Sequence, residues 1–290
     1  MRKIFLLMVT FMIIFSSIAQ ALNPNVSAEW WERENLTAVG QGVAPINAYS
    51  LDNAKFFAKR AATLDAYRKL AAQVNEIRIT ADKTILKSKV SALIRDAEII
   101  SEDYDDNGKY TVVLSVPIYG VTNSVAAAAF EPVDKENFPT PTKNKIAQGT
   151  YTGLIIDCGD LELNPVLAPA IRNADNQSIY GYSNLDYDKV ISKGMIGYTK
   201  KNSVMLLRTV NTANKFVQVG SNILLVNNDD TSRAGSNPLI IKASALSDDN
   251  SCPVISTDDA DKILSENLSS HFLDEGAVVF TSNRIRGLRM

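Results

Sequence analysis

Ser50 to Val74 reads SLDNAKFFAKRAATLDAYRKLAAQV, and this stretch decides the fold of the first half of the chain. Ala54, Phe57, Ala61, Leu64, Tyr67, Ala71 and Val74 recur at steps of three and four, the period of one helical face. The expectation is therefore a long helix that buries this face. Ser50 is placed to cap it, its hydroxyl accepting from a backbone N–H of the first turn. Alanines at 54, 58, 61, 62, 71 and 72 favour helix, and their short side chains let the helix axis lie close to whatever it covers.

Working outward, Leu36 to Ala44 (LTAVGQGVA) reads as a strand entering a glycine-punctuated turn. Gly40-Gln41-Gly42 resembles the start of a dinucleotide loop, but the third glycine of that motif would fall at Pro45, which argues against it. After the helix, Glu76 to Thr80 is a short strand or turn, and Thr84 to Asp96 a second helix. A strand from Ala97, a turn at Asp105-Asp106-Asn107-Gly108 and a returning strand over Lys109 to Ile118 form a hairpin, with Asn-Gly supplying positive backbone angles. Residues 35–130 are thus a two-layer α/β domain with the helices on one face of a small sheet. Residues 131–148, with three prolines in EPVDKENFPTPTKNK, read as a linker.

Residues 149–290 read as a β-rich second domain. Strands are expected at Thr150–Asp157, Val166–Arg172, Ser178–Tyr182, Val204–Val210, Lys215–Gln218, Ile223–Val226, Leu239–Ala245 and Ala277–Thr281. Leu185–Lys193 is a short helix, and Thr257 is read as the cap of a helix over Asp258–Asn267. The fold class is α+β.

The chain has 290 residues, 46% hydrophobic, enough for about two domains with normal cores. A formal net charge of -2 offers no general attraction to nucleic acid. Arg2 and Lys3, the apolar run Ile4–Phe15 and Ala19-Gln20-Ala21 make residues 1–21 a cleavable signal peptide. The apolar run is short for an anchor helix, the competing interpretation. No cysteine lies near the cleavage site for acylation. The mature protein is expected to be exported, periplasmic or outer-membrane associated, and not acylated.

Residues able to do chemistry are few. His271, in Ser269-Ser270-His271-Phe272-Leu273, is the only histidine, and no G-x-S-x-G accompanies it, so a surface or packed role is expected. Asn227-Asn228-Asp229-Asp230, Asp248-Asp249-Asn250, and Asp157 with Asp160 offer hard oxygens, but none has the spacing of a calcium loop; turns are the expectation. Asp157-Cys158-Gly159-Asp160 lacks both a C-x-x-C partner and a nearby base, so it reads as a strand-ending turn. Cys158 and Cys252 can pair as a disulfide in an oxidising compartment or stay free thiols in a reducing one. Trp30 and Trp31 either pack on their own domain or dock on a partner, the first being commoner. The expectation is no catalytic site, no metal and no cofactor.

The Gly-x-Gly strand, Lys59-Arg60-Ala61-Ala62, Asp65-Ala66-Tyr67-Arg68 and the later acidic turn and strand together resemble the Lpp-twenty envelope lipoprotein family. Over residues 35 to 120 the chain also resembles the N-terminal part of the flagellar assembly T and P proteins. In the second half, Tyr151-Thr152-Gly153-Leu154-Ile155-Ile156-Asp157, Pro165 to Pro169, Tyr180-Gly181 and Arg233 to Leu239 resemble envelope proteins of this kind. These are packing and turn signatures. The resemblance implies a non-enzymatic structural or assembly factor, flagellum-associated, with envelope or basal-body proteins as partners. It implies neither a nucleic-acid partner nor a small-molecule substrate, and is compatible with a homo-oligomer. The chain departs from lipoprotein members in lacking the acylated cysteine. The alternative from another class is a secreted or surface-exposed adhesin or ligand-binding protein.

Overall fold

A computed structural model of the protein describes residues 29–143, 145–200, 216–219, 222–225 and 231–286. The signal-peptide reading of 1–21 and the strand expected at Val204–Val210 lie outside the described residues. The fold is mixed α+β, and one hydrophobic cluster runs through both halves.

The first half is a three-stranded antiparallel sheet under a helix. Its strands are β1 (Asn35–Val43), β2 (Glu98–Tyr104) and β3 (Lys109–Pro117), in the order β1-β3-β2. The long helix α1 (Leu51–Glu76) lies on one face, capped by Ser50 Oγ accepting from the Asn53 N–H at 3.1 Å. Helix α2 (Lys87–Arg95) packs beside α1, followed by the one-turn α3 (Val125–Ala129). In the hairpin turn Gly108 takes the positive φ, 75°, while Asn107 does not.

The face that α1 buries differs from the one expected. Ala58, Ala62, Ala66, Leu70 and Val74, at strict steps of four, are buried. Phe57 and Leu64 from the expected stripe are 43% and 46% exposed. The reason lies in β1. A Cβ on Gly40 would stand 2.1 Å from the Ala62 carbonyl oxygen, and one on Gly42 would stand 2.2 Å from that of Ala58. The helix backbone therefore touches the strand backbone, and only a small-residue stripe permits that approach. The Gly-x-Gly that resembles a phosphate loop is this contact surface.

The second half centres on a parallel sheet. Its strands are β4 (Gly153–Asp157), β5 (Glu162–Leu163), β6 (Ile171–Asn173), β7 (Ser178–Tyr180), β8 (Gly197–Lys200), β9 (Phe216–Val219), β10 (Asn222–Leu225), β11 (Pro238–Lys242), β12 (Ala245–Leu246), β13 (Pro253–Ile255), β14 (Val278–Ser282) and β15 (Arg284–Ile285). The main sheet runs β11-β4-β14-β8, every pair parallel. Its middle strands GLIID and VVFTS are near-continuous apolar runs, as burial on both faces requires. A smaller sheet runs β12-β13-β6-β7, and β15-β5 and β10-β9 are two-stranded. Helices α4 (Tyr187–Lys193) and α5 (Thr257–Ser270) complete this half. Ser256, not Thr257, caps α5, its hydroxyl accepting from the Asp259 N–H. The strand expected at Val166–Arg172 starts only at Ile171, because Leu167 and Ala168 instead donate to the Arg78 and Ile79 carbonyls of the first half.

The proline-rich 131–148 segment has no helix or strand among its described residues, yet it is tied down along its length. Phe138 stacks on Tyr180 at 6.3 Å between ring centroids. Asp261 of α5 accepts from the Thr142 N–H at 2.6 Å, the Thr142 hydroxyl at 2.7 Å and the Lys143 N–H at 3.1 Å. Ser265 accepts from the Lys145 N–H, and Glu266 from those of Gln148 and Gly149. The segment is a strap over α5, its unpaired N–H groups satisfied by helix side chains.

Candidate functional site

Among the described residues, those with reactive side chains lie apart from one another. His271 is 70% exposed at the end of α5, with φ 54°, and its Nδ1 stands 3.6 Å from Asp274. Cys158 and Cys252, read as either a disulfide or two free thiols, are both free in this structure. Burial, with Asp157 alongside, pushes the Cys158 thiol up to about 12, which leaves it protonated and unreactive at neutral pH. Cys252 Sγ accepts instead from the Ala170 N–H at 3.3 Å. Asp249 closes its own turn by accepting from the Ser251 N–H and the Ser247 and Ser251 hydroxyls. Asp157 accepts from the Gly159 N–H, and Asp160 from the Asn283 side chain. The Asn227–Asp230 cluster lies outside the described residues, among which no group of His, Cys, Asp or Glu is arranged to hold a metal ion.

The residues quoted for the second-half resemblance are packing residues. Thr152 Oγ1 donates to the Ala234 carbonyl and accepts from the Asn237 N–H. Arg233 donates to the carbonyls of Lys193, Gly194 and Gly276. Gly235 has φ 73°, and a Cβ there would meet Thr152 at 2.4 Å.

Two concavities stand out among the described residues. The first is a cleft of about 340 Å³ between the halves, lined in part by Trp30, Trp31, Arg78, Asp249 and Arg286. Trp30 is buried, and Trp31 stands edge-on to Tyr198 at 6.3 Å, so both tryptophans pack on the protein itself. Most polar groups here have protein partners: Arg78 donates to the Ala81 carbonyl and Arg286 to Glu162. The Trp31 indole N–H has none among the described residues.

The second is a groove of about 490 Å³ between α1 and α2. Ala71, Val90 and Ile94 give it an apolar floor, and Arg68, Lys87 and Arg95 stand around it. None of these three cations forms an ion pair among the described residues, in contrast to Lys59, Lys69 and Lys89 nearby. The groove continues the outer face of α1, where Phe56 (60% exposed), Phe57, Ala61 and Leu64 are open. Around the start of α1, Ile46, Tyr49 and Leu51 extend the apolar surface. Exposed apolar side chains thus stand beside cations that have no ion-pair partner among the described residues. The sequence period had marked Phe57, Ala61 and Leu64 as one apolar face; what it could not mark was that the glycine strand claims the opposite side of the helix.

Residues 153–284 match the family described as Treponema pallidum Tp0624, second domain. The match runs from the first residue of β4 into β15 and so covers the parallel-sheet half. No curated protein matches the chain. The outer face of α1 lies outside the matched segment.

Proposed function

We propose that the protein is a non-catalytic, exported assembly or scaffold factor of the cell envelope, associated with the flagellum, and that it engages its partner through the outer face of α1. The observation that carries this reading is the exposed Phe56, Phe57 and Leu64 beside the unpaired cations of the α1–α2 groove. The signal-like N-terminus and the resemblance of residues 35 to 120 to flagellar assembly proteins support the place of action. In this reading the second half is a rigid base that orients the first: the strap and the Leu167–Arg78 and Ala168–Ile79 bonds join the two.

The test is swimming in soft agar by a clean deletion strain, with growth rate as control. Lost swimming with normal growth, rescued by the wild-type gene but not by a stably folded Phe57→Ser, Leu64→Ser variant, is the expected result. Unchanged swimming in the deletion strain overturns the flagellar assignment.

The unpartnered Trp31 indole in the interhalf cleft favours a second reading, a ligand-binding or adhesive surface protein. It predicts quenching or a shift of tryptophan emission on adding ligand candidates such as envelope glycans, which the assembly reading does not.

A further inference from the structure

The two edges of the first-half sheet are treated differently. Along β1, α1 reaches over the edge with three side chains. Lys69 Nζ donates to the Val39 carbonyl at 2.9 Å, and Gln73 Nε2 to the Thr37 carbonyl at 3.0 Å. Asp65 accepts from the Gln41 N–H at 3.0 Å. Three of the outward groups of β1 are thus occupied by side chains of α1.

These bonds also fix which residues face which way. Thr37, Val39 and Gln41 point away from β3, so Leu36, Ala38, Gly40 and Gly42 bond to it, opposite Val116, Leu114, Val112 and Tyr110. By alternation β3 meets β2 through Ser115, Val113 and Thr111, whose partners are Glu98, Ser101 and Asp103. The N–H and C=O groups of Ile99, Glu102 and Tyr104 therefore point outward from β2. No partner for them occurs among the described residues, and Glu98 to Asp103 are all exposed.

The side chains of β2 sort by the same alternation. Ile99 stands on the α1 side, opposite Leu114, and is 46% exposed; Glu102 on that side is neutralised by Lys59 at 2.8 Å. Glu98 and Asp103 stand on the far side with no cation paired to either among the described residues. A second copy added at this edge would bring like acids together, and the bulge at Ile100 hinders a symmetric pairing further. We propose that β2 is a strand-addition site for an extended segment of a partner protein, one that alternates apolar residues toward Ile99 with Lys or Arg toward Glu98 and Asp103. It rests on the binding role argued above but uses a different surface from α1.

The probe is a fluorescein-labelled acetyl-Lys-Val-Lys-Ile-Arg-Val-Lys-amide, with its Glu-for-Lys/Arg analogue as control, titrated into the full chain by fluorescence anisotropy. The basic peptide binds at least about tenfold more tightly than the acidic one. Ile99→Pro, which removes an outward N–H together with the Ile99 side chain but no bond to β3, weakens it by about tenfold without changing the thermal midpoint by more than a few degrees. The double variant Glu98→Lys, Asp103→Lys, which leaves the backbone alone, inverts the preference. Equal binding of both peptides, or an uninverted preference in the double variant, overturns the proposal. So does a dimer in sedimentation that Ile99→Pro dissolves, since a second copy then occupies the edge. A Phe57→Ser variant that fails to support swimming yet binds the basic peptide normally separates the two surfaces; the reverse pattern in Ile99→Pro does the same.

Discussion

Helices α1 and α5 are the two long helices among the described residues, and they are held by opposite means. Helix α1 buries Ala58, Ala62, Ala66, Leu70 and Val74 against a glycine-containing strand, backbone on backbone. Helix α5 buries Asp261, Ser265, Glu266 and Asn267 along with Ile263 and Leu264. Its polar groups hold the strap 142–149 and the turn after the helix, where Asn267 accepts from the Leu273 N–H at 2.8 Å. The first contact depends on the absence of side-chain volume, the second on charge-assisted hydrogen bonds. Each should fail to its own kind of substitution.

Volume added at the first contact has the largest effect. Gly40→Ala drives a Cβ into the Ala62 carbonyl and the Ala66 N–H, which are backbone and cannot swing aside. The expected loss in urea unfolding is about 3 kcal/mol or more, the upper end for overpacking. Gly42→Ala, against Ala58, should behave alike. If both variants unfold at the wild-type midpoint, the backbone contact is not as close as described.

At α5, removing charge should matter more than adding volume. Glu266→Ala leaves the Gln148 and Gly149 N–H groups without an acceptor, at a cost of about 2–3 kcal/mol. Asp261 adds a pH dependence. The Thr142 hydroxyl, then the Thr142 and Lys143 N–H groups, favour its charged form and hold its carboxyl below the usual carboxylate range. A group depressed in the folded state stabilises it fully above the unfolded pKa of about 3.9, and that contribution is lost as pH falls through the folded value. The melting temperatures of wild type and Asp261→Asn should thus differ by a constant amount from pH 7 to 5 and converge below about pH 4. A gap that widens on acidification would mean the carboxyl is protonated in the fold.

How legible all this was depends on whether the information is local. The cap at Ser50, the hairpin over residues 98–117 and the α+β class follow from neighbours in sequence, and the structure has them. Which face of α1 turns inward does not. Both stripes of the helix repeat at helical spacing, and the more hydrophobic one, with Phe57 and Leu64, lost to the smaller one because Gly40 and Gly42 sit 16 to 26 residues upstream of their contacts at Ala58, Ala62 and Ala66. A Gly-x-Gly in a strand ahead of an alanine helix was the signal that could have revealed it. The strap was hidden for a related reason. Prolines 132, 139 and 141 rule out regular structure, but the acceptors that hold the segment lie more than a hundred residues downstream on α5.

The two faces of α1 sharpen the comparison at its weakest-effect end. The inner stripe carries the packing, so substitutions on the outer stripe should barely touch stability. Leu64→Ser removes a side chain that is 46% exposed and should shift the unfolding free energy by about 0.5 kcal/mol or less. Serine also lowers helix propensity slightly, so the sign is destabilising. Against that small change, the swimming assay should register a clear loss, because an exposed leucine of little structural worth is the kind of residue whose truncation costs a complex rather than a fold. If Leu64→Ser instead unfolds the protein as Gly40→Ala is expected to, the outer face is packed in solution. If it changes neither stability nor swimming, α1 is only a lid on the sheet, and partner contact must come from elsewhere on the surface.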